Sequence, residues 1–205
     1  MTDTQTIAES NQRLDEAALN LLFREARTYY AWLPRPVSEE ILREIYDLFR
    51  MGPTSANACP ARLLFLTTEE AKARLLPTLM PLNVEKSRTA PVVAIVAYDV
   101  AFYEQLPRLF PPANMRDMFA NNPAMAAETA FRNSSLQGAY FMLAARAVGL
   151  DCGPMSGFDA DKLNAEFFPD GKWKVNFICN LGHGDGEKLF PRLPRLEFEE
   201  ACQLL

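Results

Sequence analysis

The stretch APVVAIVAYD, residues 90–99, is apolar on successive residues instead of alternate ones, and a strand of that kind must be covered on both faces. It predicts a sheet held between layers of helix. RLLFLTT (62–68) and roughly Lys174 to Leu181 read as further strands. Helical spacing links Leu14, Ala18, Leu21, Leu22 and Ala26, and then Ile41, Leu42, Ile45, Leu48 and Phe49 behind the start signal Ser38-Glu39-Glu40. Glu69 to Leu79 reads as a helix, a short one begins at Asp159, and FEEACQLL closes the chain with a helical turn or two. The longest helical pattern runs from Asn122-Pro123 to Gly149, with proline where an N–H is not needed and glycine just past the end. Helices outnumber strands without regular alternation, so the expected class is α+β.

The 205 residues are 49% hydrophobic and 23% charged, enough for one substantial core. A single domain is expected over 13–205, behind a flexible N-terminal arm at 1–12 that is polar and without periodicity. Against 26 acidic residues stand 21 basic ones, and no run of Lys and Arg could follow a line of phosphates, so nucleic acid is excluded as a partner. No apolar stretch reaches membrane-spanning length, and MTDTQTIAESNQRLDE lacks the features of a signal peptide. A cytoplasmic protein without membrane contact is expected. Cys59, Cys152, Cys179 and Cys202 form no CxxC pair and read as free thiols. One histidine, His183, cannot build a site on two imidazoles, so no metal is expected. His183 reads as a structural hydrogen-bond partner ahead of a proton donor.

MGPTSANACP (51–60) raises the question of chemistry. Gly52 and Pro53 stop a helix, but the small and polar residues that follow are more than a connection needs. Neither GxGxxG nor GxxxxGK[ST] occurs, and GHGDGEK (182–188) has the spacing of neither and reads as a turn. A nicotinamide would then have to stack on another cofactor instead of occupying its own fold.

Four segments, PTSANACP (53–60), NVEK (83–86), GPMSGFD (153–159) and RLPRLEFEEA (192–201), resemble in order and spacing the FMN-binding segments of the nitroreductase family. The resemblance covers residues 20 to 205. It implies a mainly antiparallel central sheet flanked by helices, and an intertwined homodimer with each flavin between two subunits. Pro53, Thr54, Ser55 and Asn57 would line the flavin, with Cys59 in place of the family's glutamine and read as a packing residue. Asn83 would bond the pyrimidine edge, and Lys86 would sit by N1 and O2. Pro154, Met155, Ser156 and Gly157 would run along the N5 side, a backbone N–H of Ser156 or Gly157 bonding N5. For the phosphate, only Arg27 and Thr28 of the family's basic stretch survive, which shifts the grip toward Arg192 and Arg195.

ART (26–28) with Trp32, GPTSAN, AETAFRNSS (127–135), GLDCGPMSGFD and RLPRLEFEEACQLL resemble the malonic semialdehyde reductase, or 3-hydroxypropionate dehydrogenase, branch of pyrimidine degradation. That implies a ping-pong oxidoreductase: NADH or NADPH reduces FMN and leaves, and malonic semialdehyde takes the hydride in the same pocket. The substrate carboxylate would be clamped by Arg116, ranked first, or Arg132, with Phe110 and Phe119 walling the pocket under a lid at 101–122. The catalytic proton donor is not identified. A broad nitro or quinone reductase on the same scaffold is the alternative, and a flavin-binding protein without turnover a further one.

Overall fold

The computed structural model describes residues 13–205; the expected arm at 1–12 lies outside the described residues. Four strands, β1 (Ala61–Leu66), β2 (Val92–Asp99), β3 (Asp151–Met155) and β4 (Trp173–Gly182), form one antiparallel sheet in the order β1-β2-β4-β3. The helices in chain order are α1 (Glu16–Leu19), α2 (Glu39–Phe49), α3 (Glu69–Leu75), α4 (Pro81–Arg88), α5 (Leu106–Leu109), α6 (Arg116–Ala120), α7 (Pro123–Ala147), α8 (Ala160–Phe167) and α9 (Phe198–Ala201). This is the expected α+β class.

The apolar run of β2 explains the layering. Residues 92 to 97 are all buried. Val92, Ala94 and Val96 pack with Leu42, Ile45 and Phe49 of α2 and Phe141 of α7. Val93, Ile95 and Ala97, on the other face, pack with Leu75 of α3, Val84 of α4 and Leu163 of α8. A third cluster, Ala58, Phe102, Leu106, Phe119, Ala126 and Ala130, fastens the segment 101–122 to the first half of α7. Among the described residues no helix is long and apolar enough to cross a membrane.

Most expected elements form, with caps that explain their ends. The side chains of Ser38, Asn122 and Asp159 accept bonds from Ile41, Met125 and Lys162 N–H, and Gly149 leaves α7 at φ 84. The departures have identifiable causes. The helix expected through Leu79 ends at Leu75 in a 3-10 turn containing Pro77, and α4 starts afresh at Pro81. Leu48, expected to face inward, is exposed. Strand β3 has no alternating pattern because Gly153 and Pro154 occupy its centre; proline is tolerated there because β3 lies at the sheet's edge.

Candidate active site

Beyond β3, the segment 28–33 docks against the sheet edge. Thr28 bridges Cys152, Tyr29 N–H donates to Cys152 O at 3.1 Å, and Leu33 N–H donates to His183 O at 2.8 Å. Gly153 makes this docking fit, since a Cβ there would lie 2.7 Å from Tyr29 O. Arg27 Nη2 donates to Phe190 O, and Arg192 Nη2 donates to Ala26 O at 3.1 Å. The two guanidiniums thus cross-brace the segment 26–28 and the C-terminal strand of chain, beside the exposed Thr28. Arg195 is not brought here: its Nη1 folds back on Leu193 O and Pro194 O of its own segment.

Helix α4 completes this end. Asn83 Nδ2 donates to Gly157 O at 2.7 Å, so tightly that a Cβ on Gly157 would lie 2.5 Å from that nitrogen. Within the chain the close approaches at Gly153 and Gly157 are made by Tyr29 and Asn83. The N–H groups of Ser156 and Gly157 have no acceptor among the described residues. Pro154 and Met155 lie in β3, Met155 buried. Lys86, half-buried, points its Nζ at the Tyr30 ring, 5.1 Å from the centroid, and has no ion pair among the described residues. Burial pushes its ammonium pKa down.

A second group gathers at the other end of the sheet. In the loop after α2, Ala56, Asn57 and Cys59 have φ of 51, 49 and 42, left-handed backbone interrupted at Ala58, which costs Ala56 and Cys59 on the order of 1 kcal/mol each and Asn57 less. Buried amides on α7 hold it: Ser55 N–H donates to Asn133 Oδ1 at 2.8 Å, and Ala61 N–H donates to Gln137 Oε1 at 2.9 Å. The Thr54 hydroxyl accepts from Cys59 N–H, and Asn57 Nδ2 donates to Leu109 O, which ties the loop to α5. Cys59 Sγ rests within the loop, 3.4 Å from Asn57 Oδ1, leaving Pro53, Ser55 and Asn57 outward. The spacing of Asn133 and Gln137, four apart on one helical face, is the signal in the sequence for these anchors.

Phe110, Phe119 and Arg116 belong to this second end. A cavity of about 210 Å³ opens there, lined by Tyr98, Tyr103, Phe119, Pro123, Ala126 and Lys174 among others. Arg116 does not stand free as a clamp: Glu104 engages its Nε and Nη2 at 2.8 Å and Asp117 its Nη1 at 2.9 Å, which keeps the guanidinium charged and staples α6 to the preceding turn. Arg132 pairs with Glu128 one turn back on α7. His183 lies with the first end, its imidazole pKa lowered by burial and by Arg35, which leaves it a poor acid at neutral pH.

The two ends do not meet within one chain. The loop enters β1 at Ala61, opposite Tyr98 near the end of β2, whereas the Lys86 carbonyl is bonded by Asn180 of β4, opposite Val93 near the start of β2, a run of about 17 Å at strand rise. They also occupy opposite sheet faces, α7 holding the loop and α4 carrying Lys86.

A four-stranded antiparallel sheet covered by helices on both faces is the architecture of a nitroreductase-like fold. The sequence model of the nitroreductase family matches residues 23–183, and the chain belongs to that family. It is 56% identical over 192 residues to a protein of Ralstonia nicotianae provisionally named an NADH dehydrogenase/NAD(P)H nitroreductase, covering 94% of this chain and 98% of that one. A protein of Polynucleobacter asymbioticus with the same provisional name matches at the same identity and coverage. Among solved structures, a protein of Exiguobacterium sibiricum described provisionally as a nitroreductase, in complex with FMN, superposes with a TM-score of 0.81 at 22% identity, over 95% of this chain and 99% of that one.

Proposed function

We propose that the chain is an FMN-dependent NAD(P)H oxidoreductase that reduces malonic semialdehyde to 3-hydroxypropionate, working as a homodimer. The observation that carries the flavin reading is Lys86: a half-buried ammonium without an ion pair among the described residues, on the helix whose Asn83 bonds Gly157, where the N–H groups of Ser156 and Gly157 have no acceptor among the described residues. A half-buried cation held only by the Tyr30 ring is incompletely satisfied, and an electron-rich ring edge would complete it. The residues fit FMN. Lys86 and Asn83 would meet the pyrimidine edge, Ser156 or Gly157 N–H the adjoining ring edge, and Arg27, Thr28 and Arg192 the phosphate, whose dianion suits guanidinium forks. FMN, when bound, supplies reversible hydride transfer between a nicotinamide and an acceptor.

The loop of Pro53, Thr54, Ser55 and Asn57, with the lid, would close over the same group from the partner protomer, since their own chain holds them too far away. The exposed Phe131, Leu136 and Tyr140 on α7, and Phe190, Leu193, Leu196 and Phe198 near the C-terminus, supply apolar surface for such a dimer. Within the lidded end, Arg132 is the better clamp for a substrate carboxylate. Its single carboxylate partner is exposed and exchangeable, whereas Arg116 is engaged by two. A planar clamp also orients the aldehyde.

Steady-state rates on malonic semialdehyde, a quinone and a nitroarene, each with NADH and NADPH, test the proposal. The highest kcat/KM is expected with the aldehyde. A preference for quinone or nitroarene, with negligible aldehyde turnover, would instead establish the broad reductase that the relatives' names suggest.

A further inference from the structure

We infer that Trp32 and Asn180 are positioning residues for Lys86, acting through its backbone carbonyl; the inference rests on the flavin reading of Lys86 given above. Lys86 lies in the last turn of α4, where carbonyls run out of intrahelical partners. Its oxygen is taken instead by two donors from elsewhere in the fold: Trp32 Nε1 at 2.9 Å and Asn180 Nδ2 at 3.1 Å. Asn180 Nδ2 also reaches Ser87 Oγ at 3.2 Å, and Ser87 in turn donates to Met155 Sδ. The end of α4 is thereby tied to β4, to β3 and to the docked segment 28–33.

Two features mark this junction as more than packing. The indole is seated against positions where only glycine leaves room: a Cβ on Gly153 would lie 3.2 Å from Trp32 Cζ2, and one on Gly182 would lie 3.0 Å from Cε3. Asn180 is fully buried, and its Oδ1 is the buried side-chain oxygen left without a partner among the described residues. An orphaned buried oxygen disfavours folding, and a leucine of similar size would remove it. Asparagine at this position therefore donates through Nδ2 to Lys86 O and Ser87 Oγ at the cost of its oxygen. Turning the amide over would only set that oxygen against Lys86 O. With its carbonyl held at two points, α4 cannot shift or unwind at Lys86, so the ammonium keeps a fixed station at the sheet edge although its stem is flexible.

The test compares Trp32→Phe, which deletes one donor and keeps an aromatic ring, and Asn180→Leu, each made alone and in a Lys86→Met background. Readouts are thermal unfolding of flavin-free protein, FMN dissociation by fluorescence titration, and the midpoint potential of bound FMN. Asn180→Leu is expected to unfold at the same temperature or higher while FMN affinity falls roughly fivefold, the size of one hydrogen bond. Both single variants should lower the potential in the direction of Lys86→Met, and neither should change it further once Lys86 is gone. Equal shifts in both backgrounds would mean a role independent of Lys86 and overturn the inference. So would a shift from Lys86→Met with none from Trp32→Phe or Asn180→Leu, although the flavin reading would then stand. If Lys86→Met itself leaves affinity and potential unchanged, both fall.

Discussion

Lys86 carries a charge that no ion pair among the described residues neutralises, and its behaviour separates a flavin edge from an ordinary surface lysine. Lys86→Met should weaken FMN binding about tenfold, ~1.4 kcal/mol, by titration of the flavin-free protein. The same variant has a pH signature. Burial holds the folded pKa below the ordinary 10.5, so folding disfavours the charged form. That penalty is full below the folded pKa and fades as pH rises through it toward the unfolded value. Flavin-free wild type should therefore gain stability relative to Lys86→Met as pH climbs toward 10.5, read from unfolding midpoints across that window. On the lidded side, Arg132→Ala should lose on the order of 2 kcal/mol, about thirtyfold, in kcat/KM for malonic semialdehyde and little for a quinone. Arg116→Ala should reduce both together, because its contacts with Glu104 and Asp117 hold the lid. A selective aldehyde loss in Arg116→Ala instead would return the clamp to the residue that sequence reasoning ranked first.

Elements announced by period or by caps were legible in the sequence, and those set by tertiary contact were not. The two-faced burial of β2 follows from its own residues, and α7 is bracketed by Asn122-Pro123 and Gly149. Strand β3 escapes such reading because Gly153 and Pro154 are poor strand residues that only an edge position and a docked neighbour explain. The flavin-site motifs named Lys86 and Asn83; Trp32 stood out only as part of the branch resemblance, with no partner, and nothing pointed to Asn180, although the two bonds span 54 and 94 positions in the chain. The partner they share is the Lys86 backbone oxygen, which leaves no residue pattern. At the docked edge, Gly153→Ala should disfavour folding by about 1–3 kcal/mol, because the added methyl meets Tyr29 O, a backbone atom that cannot swing aside. Calorimetry should show a fall of roughly 2–4 °C per kcal/mol for a chain of this length. An unchanged midpoint would mean that the 28–33 segment is not held where the structure has it.

For the whole molecule, the proposed function has opposite ends of one sheet holding one flavin, which requires two protomers that each lend half. Mixing Lys86→Met protein with a variant whose loop is altered at Asn57, at an FMN concentration too low to load either homodimer well, should give activity above that of both homodimers. Random reassociation makes half the dimers mixed, and each mixed dimer holds one intact site of two, so about a quarter of wild-type activity should return. No recovery from a verified mixed dimer would place both halves in one chain. The most direct measurement is made on flavin-loaded protein without oxygen, following the yellow absorbance. One equivalent of NADH or NADPH should bleach it, and malonic semialdehyde added afterwards should restore it with formation of 3-hydroxypropionate. Colour that persists with both nicotinamides, or bleached protein that the aldehyde leaves colourless, would contradict the account.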